Sequence, residues 1–319
     1  MVKIFVRLLW KMLRVLIWVE QLVWRCVRLH RVRIVQVVHP LSAALMLLTV
    51  GFFVTYEMFY ILPECCDVSG IYYKLHCLLI LFFIHNIVGN MCKCWLTDTS
   101  FVGLPPDRWN PLPAEAPLWH LCTFCQMLVP PRAWHCRLCN CCILKRDHHC
   151  NVVANCIGHA NQRYFVAFLL HLSLGSCTAL VYNVYHMFSQ KARLSDPIDF
   201  VSMSMGLGQT ERAYNLFKNQ TLSPHVSWLI ITGGILKLTI FATVLATTHL
   251  VMQLVMVCRG SCMYYVKDRS YDLGLWNNLR NVLGKRVLWI ALSPFVSSPL
   301  PHDGVQWLVP SQLSGRKPV

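Results

Sequence analysis

Eight of the chain's 17 cysteines and three histidines fall within the 35 residues from Cys122 to Cys156, CTFCQMLVPPRAWHCRLCNCCILKRDHHCNVVANC. That density restricts the local fold more than any hydrophobic pattern does. Two CxxC pairs, Cys122/Cys125 and Cys136/Cys139, each set two thiolates on a tight turn where both reach one ion, and His135 and His149 offer neutral nitrogen donors. Interleaved in this way, they point to zinc. A tetrahedral structural zinc takes four protein ligands, so two ions use eight donors and leave Cys150 beside His148 and His149, with Asp147 in front. A thiol, an imidazole and a carboxylate in one run are the parts of an activated nucleophile. The same residues also read as zinc ligands or turn residues, and spacing alone does not divide the donors between two ions.

The flanking sequence sets the surroundings of this run. Of 319 residues, 55% are hydrophobic and only 13% charged, against roughly 25% charged in soluble domains. A polytopic membrane protein follows, with spans expected at residues 41–62, 72–92, 164–188 and 228–257. Glu57 is the costly residue of the first span, His76 and His85 lie in the second, and Lys237 in the fourth. Residues 1–38 carry eight Lys or Arg. Lys3, Arg7, Lys11 and Arg14 recur at helical spacing opposite Leu, Val and Trp10, the pattern of an interfacial amphipathic helix. A mitochondrial presequence is also Arg-rich but Ser-rich as well, and this stretch has no Ser.

The chain then divides into an interfacial segment 1–38, two spans within 39–92, a cysteine-rich domain 93–163, two spans with a lumenal loop 189–227 inside 164–257, and a tail 258–319. The prolines of residues 105–117 forbid a helix and make an extended lead. The tail after Pro294, rich in Pro and Ser, reads as poorly ordered. Asn219-Gln220-Thr221 is a glycosylation sequon in the lumenal loop. Lys and Arg number eight before the first span, seven in the cysteine-rich domain and eight in the tail, against four in the lumenal loops. The positive-inside rule therefore places both termini and the cysteine-rich domain in the cytosol. That reducing face suits metal thiolates rather than disulfides. A net charge of +15 could suggest nucleic acid, but a cysteine segment held between spans argues against it.

CTFC, WHCRLC, CCILKRDHHC and NCIGHANQRYF together resemble the cysteine-rich domain of the DHHC protein S-acyltransferases, or palmitoyltransferases. The resemblance implies an all-α integral membrane protein of four transmembrane helices, with a cytosolic zinc-binding domain between the second and third. It implies one zinc on Cys122, Cys125, His135 and Cys142 and a second on Cys136, Cys139, His149 and Cys156. It further implies that Cys150 accepts the acyl group, that His148 is its general base and that Asp147 orients His148. Acyl-CoA is then the co-substrate, with Arg132, Lys145 or Arg146 for its phosphates. The partners implied are proteins with membrane-proximal cysteines and the bilayer itself, and the compartment is the endoplasmic reticulum or Golgi. Tyr271-Asp272-Leu273-Gly274 and Asn278 are similar to the family's C-terminal motif.

The chain also departs from the family. Asn151-Val152 replaces Pro-Trp after the nucleophile, Asp98-Thr99-Ser100 replaces Asp-Pro-Gly, and Ser261-Cys262-Met263-Tyr264 stands where the family has Thr-Thr-x-Glu. These departures support an alternative reading, a zinc-stapled membrane adaptor that has lost turnover.

Overall fold

A computed structural model describes residues 35–310 apart from residues 36, 114 and 192–223. Almost all of the expected interfacial segment 1–38, most of the loop 189–227 with Asn219, and residues 311–319 lie outside the described residues.

Among the described residues, four helices are long and apolar enough to cross a membrane: α1 (Val37–Cys65), α2 (Ile71–Leu96), α3 (Gln162–Lys191) and α4 (Pro224–Cys258). A helix satisfies its own backbone hydrogen bonds, which lipid cannot. Near its end α1 widens into π turns over Glu57–Ile61. Pro63 lies just beyond and has no N–H for the carbonyl four residues back, so the regular ladder is interrupted there. Helix α3 packs on both α2 and α4. Their shared core includes Ile87 and Met91 of α2, Phe165 and Phe168 of α3, and Leu250 of α4. The opposite faces expose Leu48, Phe59, Leu78 and Phe241, a surface that lipid covers and water would penalise. Glu57 is buried, and the Asn183 amide of α3 donates to its carboxylate, which answers the cost of a carboxyl group at membrane depth.

Between α2 and α3 the chain forms three antiparallel hairpins: β1 (His120–Cys122) with β2 (Met127–Val129), β3 (Trp134–Cys136) with β4 (Cys141–Ile143), and β5 (His148–Cys150) with β6 (Asn155–Ile157). The expected zinc-binding segment between the second and third spans is present, and its three short hairpins are a detail that the sequence does not specify. Each CxxC turn is closed by its own first cysteine. The Cys125 N–H donates to Cys122 Sγ at 3.4 Å and the Gln126 N–H to the Cys122 carbonyl at 2.8 Å. Cys136, Cys139 and Asn140 repeat the arrangement. Gln126 and Asn140 adopt φ of 55° and 58° to make the turn, a conformation that Asn tolerates better than most residues. Strands of three residues bury too little to persist unaided.

The chain before the zinc segment and the chain after the last span are each fastened in place. Asp98-Thr99-Ser100 leads Phe101 to the outside of β4, where the Phe101 N–H reaches the Cys142 carbonyl at 2.8 Å. Phe101, fully buried, stacks edge-on against Trp119 in a small core with Val129 and Val305. On the other side, helix α5 (Leu275–Leu283) is fastened to the end of α4. The Asn278 amide donates to the Cys258 carbonyl at 2.8 Å and to Asp272 at 2.7 Å.

The described part of the tail after Pro294, residues 295–310, packs against the rest of the fold. Ser298 and Val305 are buried, and the Arg132 guanidinium packs against the rings of Tyr271 and Trp307 at 4.6 and 4.4 Å, in the corner formed by their edge-to-face contact. Composition points to disorder, but Val305 and Trp307 supply apolar contacts that outweigh it.

Candidate active site and metal clusters

Side chains on a strand alternate between faces, and that alternation sorts the cysteine-rich segment. On β3 and β4, His135 opposes Cys142 and Cys136 opposes Cys141. His135 and Cys136 therefore point to opposite faces. His135 and Cys142 meet Cys122 and Cys125; Cys136 meets Cys139, His149 and Cys156. In each set the four donor atoms lie within 4.8 Å of one another. His149 Nδ1 is 3.6, 3.3 and 3.5 Å from the sulfurs of Cys136, Cys139 and Cys156. Cys142 Sγ is 3.7 Å from Cys125 Sγ, which is 3.3 Å from His135 Nδ1. Arms of about 2.3 Å to sulfur and about 2.0 Å to nitrogen, directed to the corners of a tetrahedron, give edges of this length. Three thiols and one imidazole per set match structural zinc in donor type as well as spacing.

The same alternation acts on β5. His149 opposes Cys156 and turns to the metal set, whereas His148 and Cys150, two residues apart, share the other face. His148 Nδ1 is 2.7 Å from Asp147 Oδ2. That leaves Nε2 on the side away from Asp147, and Cys150 shares this face of β5 with the ring. Burial opposes a charge on His148, but the Asp147 carboxylate and Cys150 overcome it and push the imidazole up to about 9. Burial alone would raise the Asp147 carboxyl. Its bonds to His148, the Met263 N–H and the Gln253 amide hold it below its ordinary value instead. Met263 donates at 2.8 Å and Gln253 at 2.7 Å.

Met263 belongs to the stretch that departs most from the family pattern. Its contact with Asp147 is made by the main chain, so it survives the change of side chains. Cys150 is half-buried and packs, with Val152, against the helical core.

The three basic residues suggested for a phosphate group are placed unequally. Arg132 and Lys145 are 8% and 3% exposed, beneath the tail. Arg132 Nη2 donates to the Gly260 carbonyl at 2.8 Å and Lys145 Nζ to Gln162 Oε1 at 2.7 Å. Burial and the neighbouring Arg132 push Lys145 down to about 7. Neither cation is presented at an open surface. Arg146 is half-buried and lines an open groove of about 570 Å³ with Trp134, Arg137, His149, Asn151 and Tyr264, while its Nη1 donates to the His135 carbonyl at 2.8 Å and its guanidinium lies over the Tyr264 ring. Gly175 and Ser176 line a separate apolar cavity of about 110 Å³ with Phe53, Leu79, Phe83 and Tyr182.

Sequence reasoning missed three residues. His39, at the start of α1, is buried with Nε2 2.9 Å from His149 Nε2. Gln162 and Gln253 join Lys145 to Asp147. The available signal was a lone polar side chain at or within an apolar span, which His39 and Gln253 both give.

A family model described as DHHC palmitoyltransferase matches residues 117–269. A probable palmitoyltransferase ZDHHC24 of Rattus norvegicus is 30% identical over 244 residues, 72% of this chain and 76% of the relative. The Homo sapiens protein of the same description is 29% identical over 201 residues, 59% and 63% of the two chains. The palmitoyltransferase ERF2 of Candida glabrata is 52% identical over 62 residues, 19% of each.

Proposed function

The chain belongs to the DHHC palmitoyltransferase family, a family of protein S-acyltransferases, and from that premise we propose that it moves a long-chain acyl group from acyl-CoA to protein cysteines through an acyl-enzyme on Cys150. The observation that carries this reading is the sorting of β5. His149 faces three thiols while His148 and Cys150 share the opposite face of the strand, with Asp147 bonded behind His148.

The steps follow from those positions. Asp147 fixes His148 with Nδ1–H toward the carboxylate, so Nε2 takes the Cys150 proton. The Cys150 sulfur attacks the thioester carbonyl, the bond from acyl carbon to the CoA sulfur breaks, and the CoA thiolate leaves with the proton returned by His148. A substrate cysteine then gives its proton to His148 and attacks the acyl group, and Cys150 leaves as thiolate. One thioester replaces another, so the chemistry requires orientation rather than an energy source. Arg146, on the groove beside Asn151, is the best placed of the three basic residues for a CoA phosphate.

Cys122, Cys125, His135 and Cys142 would hold one zinc, and Cys136, Cys139, His149 and Cys156 a second. With four protein ligands each, such ions act by cross-linking hairpins that lack a core of their own. His39 orients His149 from behind, and β5 carries that order to Cys150. The excess of Lys and Arg outside the lumenal loops supports a cytosolic zinc domain and cytosolic termini, within the domain limits drawn from sequence. The bilayer, acyl-CoA and proteins with membrane-proximal cysteines are the partners, in an endoplasmic reticulum or Golgi membrane.

The test is a rapid-mixing measurement of CoA release from palmitoyl-CoA by the purified protein. A burst equal to the enzyme concentration, absent in Cys150→Ala, is expected. A burst of the same size in Cys150→Ala would remove the proposed nucleophile.

A further inference from the structure

Four buried polar side chains form one hydrogen-bonded line behind the nucleophile. Lys145 Nζ donates to Gln162 Oε1 at 2.7 Å, Gln162 Nε2 to Gln253 Oε1 at 3.2 Å, and Gln253 Nε2 to Asp147 Oδ2 at 2.7 Å. Asp147 Oδ2 is the oxygen that meets His148 Nδ1. None of the four is more than 3% exposed, so water does not compete for these bonds.

The line can run in only one direction. A carboxylate accepts and does not donate, so Gln253 must turn its amide N–H groups toward Asp147 and its oxygen away. Gln162 must then face Gln253 with nitrogen, which turns its oxygen to Lys145. An amine carries N–H donors in either protonation state, so the far end agrees with the near one. Each residue fixes the amide orientation of the next. The line also joins separate parts of the chain: Lys145 and Asp147 in the zinc segment, Gln162 at the first turn of α3 and Gln253 within α4.

We infer that Gln253 and Gln162, anchored by Lys145, are positioning residues that hold the Asp147 carboxylate in the orientation His148 requires. This rests on the roles of Asp147, His148 and Cys150 set out above. It gives buried Lys145 a task other than meeting a phosphate. A carboxylate freed from Gln253 can rotate, and His148 then loses the direction of its Nε2 toward Cys150.

Two near-isosteric variants test the inference in the purified full-length protein, by single-turnover acylation of Cys150 from palmitoyl-CoA. Gln253→Met removes the donor to Asp147. Gln162→Glu keeps an acceptor for Lys145, and as a carboxylate partner could strengthen that contact, but offers no N–H to Gln253. Both are expected to keep two zincs per chain and an unchanged half-saturating concentration of palmitoyl-CoA, while the acylation rate at saturation falls about tenfold. Gln162→Glu separates the possibilities, because a residue that merely satisfied Lys145 would tolerate it. Wild-type rates in both variants would overturn the inference. Loss of zinc in either would do so too, since the amides would then be holding the domain together rather than aiming a carboxylate. Cys150→Ser run in parallel must show no acylation; if it still acylates, the assignment of the nucleophile fails, whatever the glutamine variants do.

Discussion

His39 Nε2 lies 2.9 Å from His149 Nε2, and on the far side of the same ring Nδ1 faces three thiols. A metal on Nδ1 leaves the proton on Nε2, so His149 donates and His39 accepts. The start of a membrane span is thereby bonded to a residue of the zinc segment 110 positions away. Outer partners of this kind orient a ligand and raise its basicity. His39→Leu is expected to lose zinc to a chelator about 10 to 100 times faster than wild type, with His39→Gln, which retains an acceptor, in between. Cobalt substituted for zinc gives a second readout, because its ligand-field bands should broaden in His39→Leu. Equal chelation rates in all three proteins would show that the contact does not act on the metal.

The two faces of β5 should separate in mutants. Cys136→Ser and His149→Ala each remove a donor from a four-ligand set, and both are expected to lose zinc, thermal stability and activity together. Cys150→Ser should keep two zincs and lose activity alone. Metal analysis of the purified variants checks this; equal zinc loss in Cys150→Ser would place Cys150 in the metal set.

The contact of Arg132 with both Tyr271 and Trp307 makes the tail part of the fold. Trp307→Ala removes one ring from the guanidinium and uncovers Val305 and its neighbours. It should destabilise the docked tail by about 1–3 kcal/mol, read as new protease cleavage between residues 298 and 310. An unchanged cleavage pattern would mean that α5 and Ser298 hold the tail without it.

Tail docking should also weaken in acid. Burial, His302 and the nearby cations Lys145 and Arg132 push His159 down to about 3, against a backbone bond that raises it. His302 is pushed to about 4 by burial, Lys145 and Arg132, with Asp303 opposing. A histidine depressed in the folded state is neutral in both states above its ordinary value near 6.5, and as pH falls below that value the unfolded state takes up the proton first, so folding is opposed increasingly until the folded values are reached. Docking should therefore weaken steadily from about pH 6.5 toward pH 4. Hydrogen exchange of residues 298–308, corrected for intrinsic rates, should show protection falling between pH 7 and pH 5, and His159→Gln should flatten the change. Protection that is constant over this range would contradict the account.

What the sequence made legible was local. The spans stand out because long apolar runs with few charges have one structural solution in lipid, and the metal donors because CxxC turns fix two thiols within a few residues. Alternation along a strand explains why His148 and Cys150 act together while His149 turns away, yet the strands themselves were not foreseen, since three-residue hairpins cross-linked by metal carry no hydrophobic pattern. Contacts across the chain stayed hidden. Nothing near His39 points to His149, and nothing near Gln253 points to Asp147, 106 residues away. The docked tail was hidden for a further reason: its Pro and Ser content outweighs Val305 and Trp307 in composition, though not in packing. Arg132 and Lys145 read as free cations because charge is visible in a sequence and burial is not.

The central claim is that Cys150 carries the acyl group while His149, its neighbour, serves the metal. Its most direct test is labelling of the full-length protein with an alkyne palmitate analogue, wild type beside Cys150→Ser, before and after hydroxylamine. A hydroxylamine-sensitive label in wild type that is absent from a fully zinc-loaded Cys150→Ser protein is the expected result. A label of equal strength in both, carried by another cysteine such as Cys258 or Cys262, would contradict it.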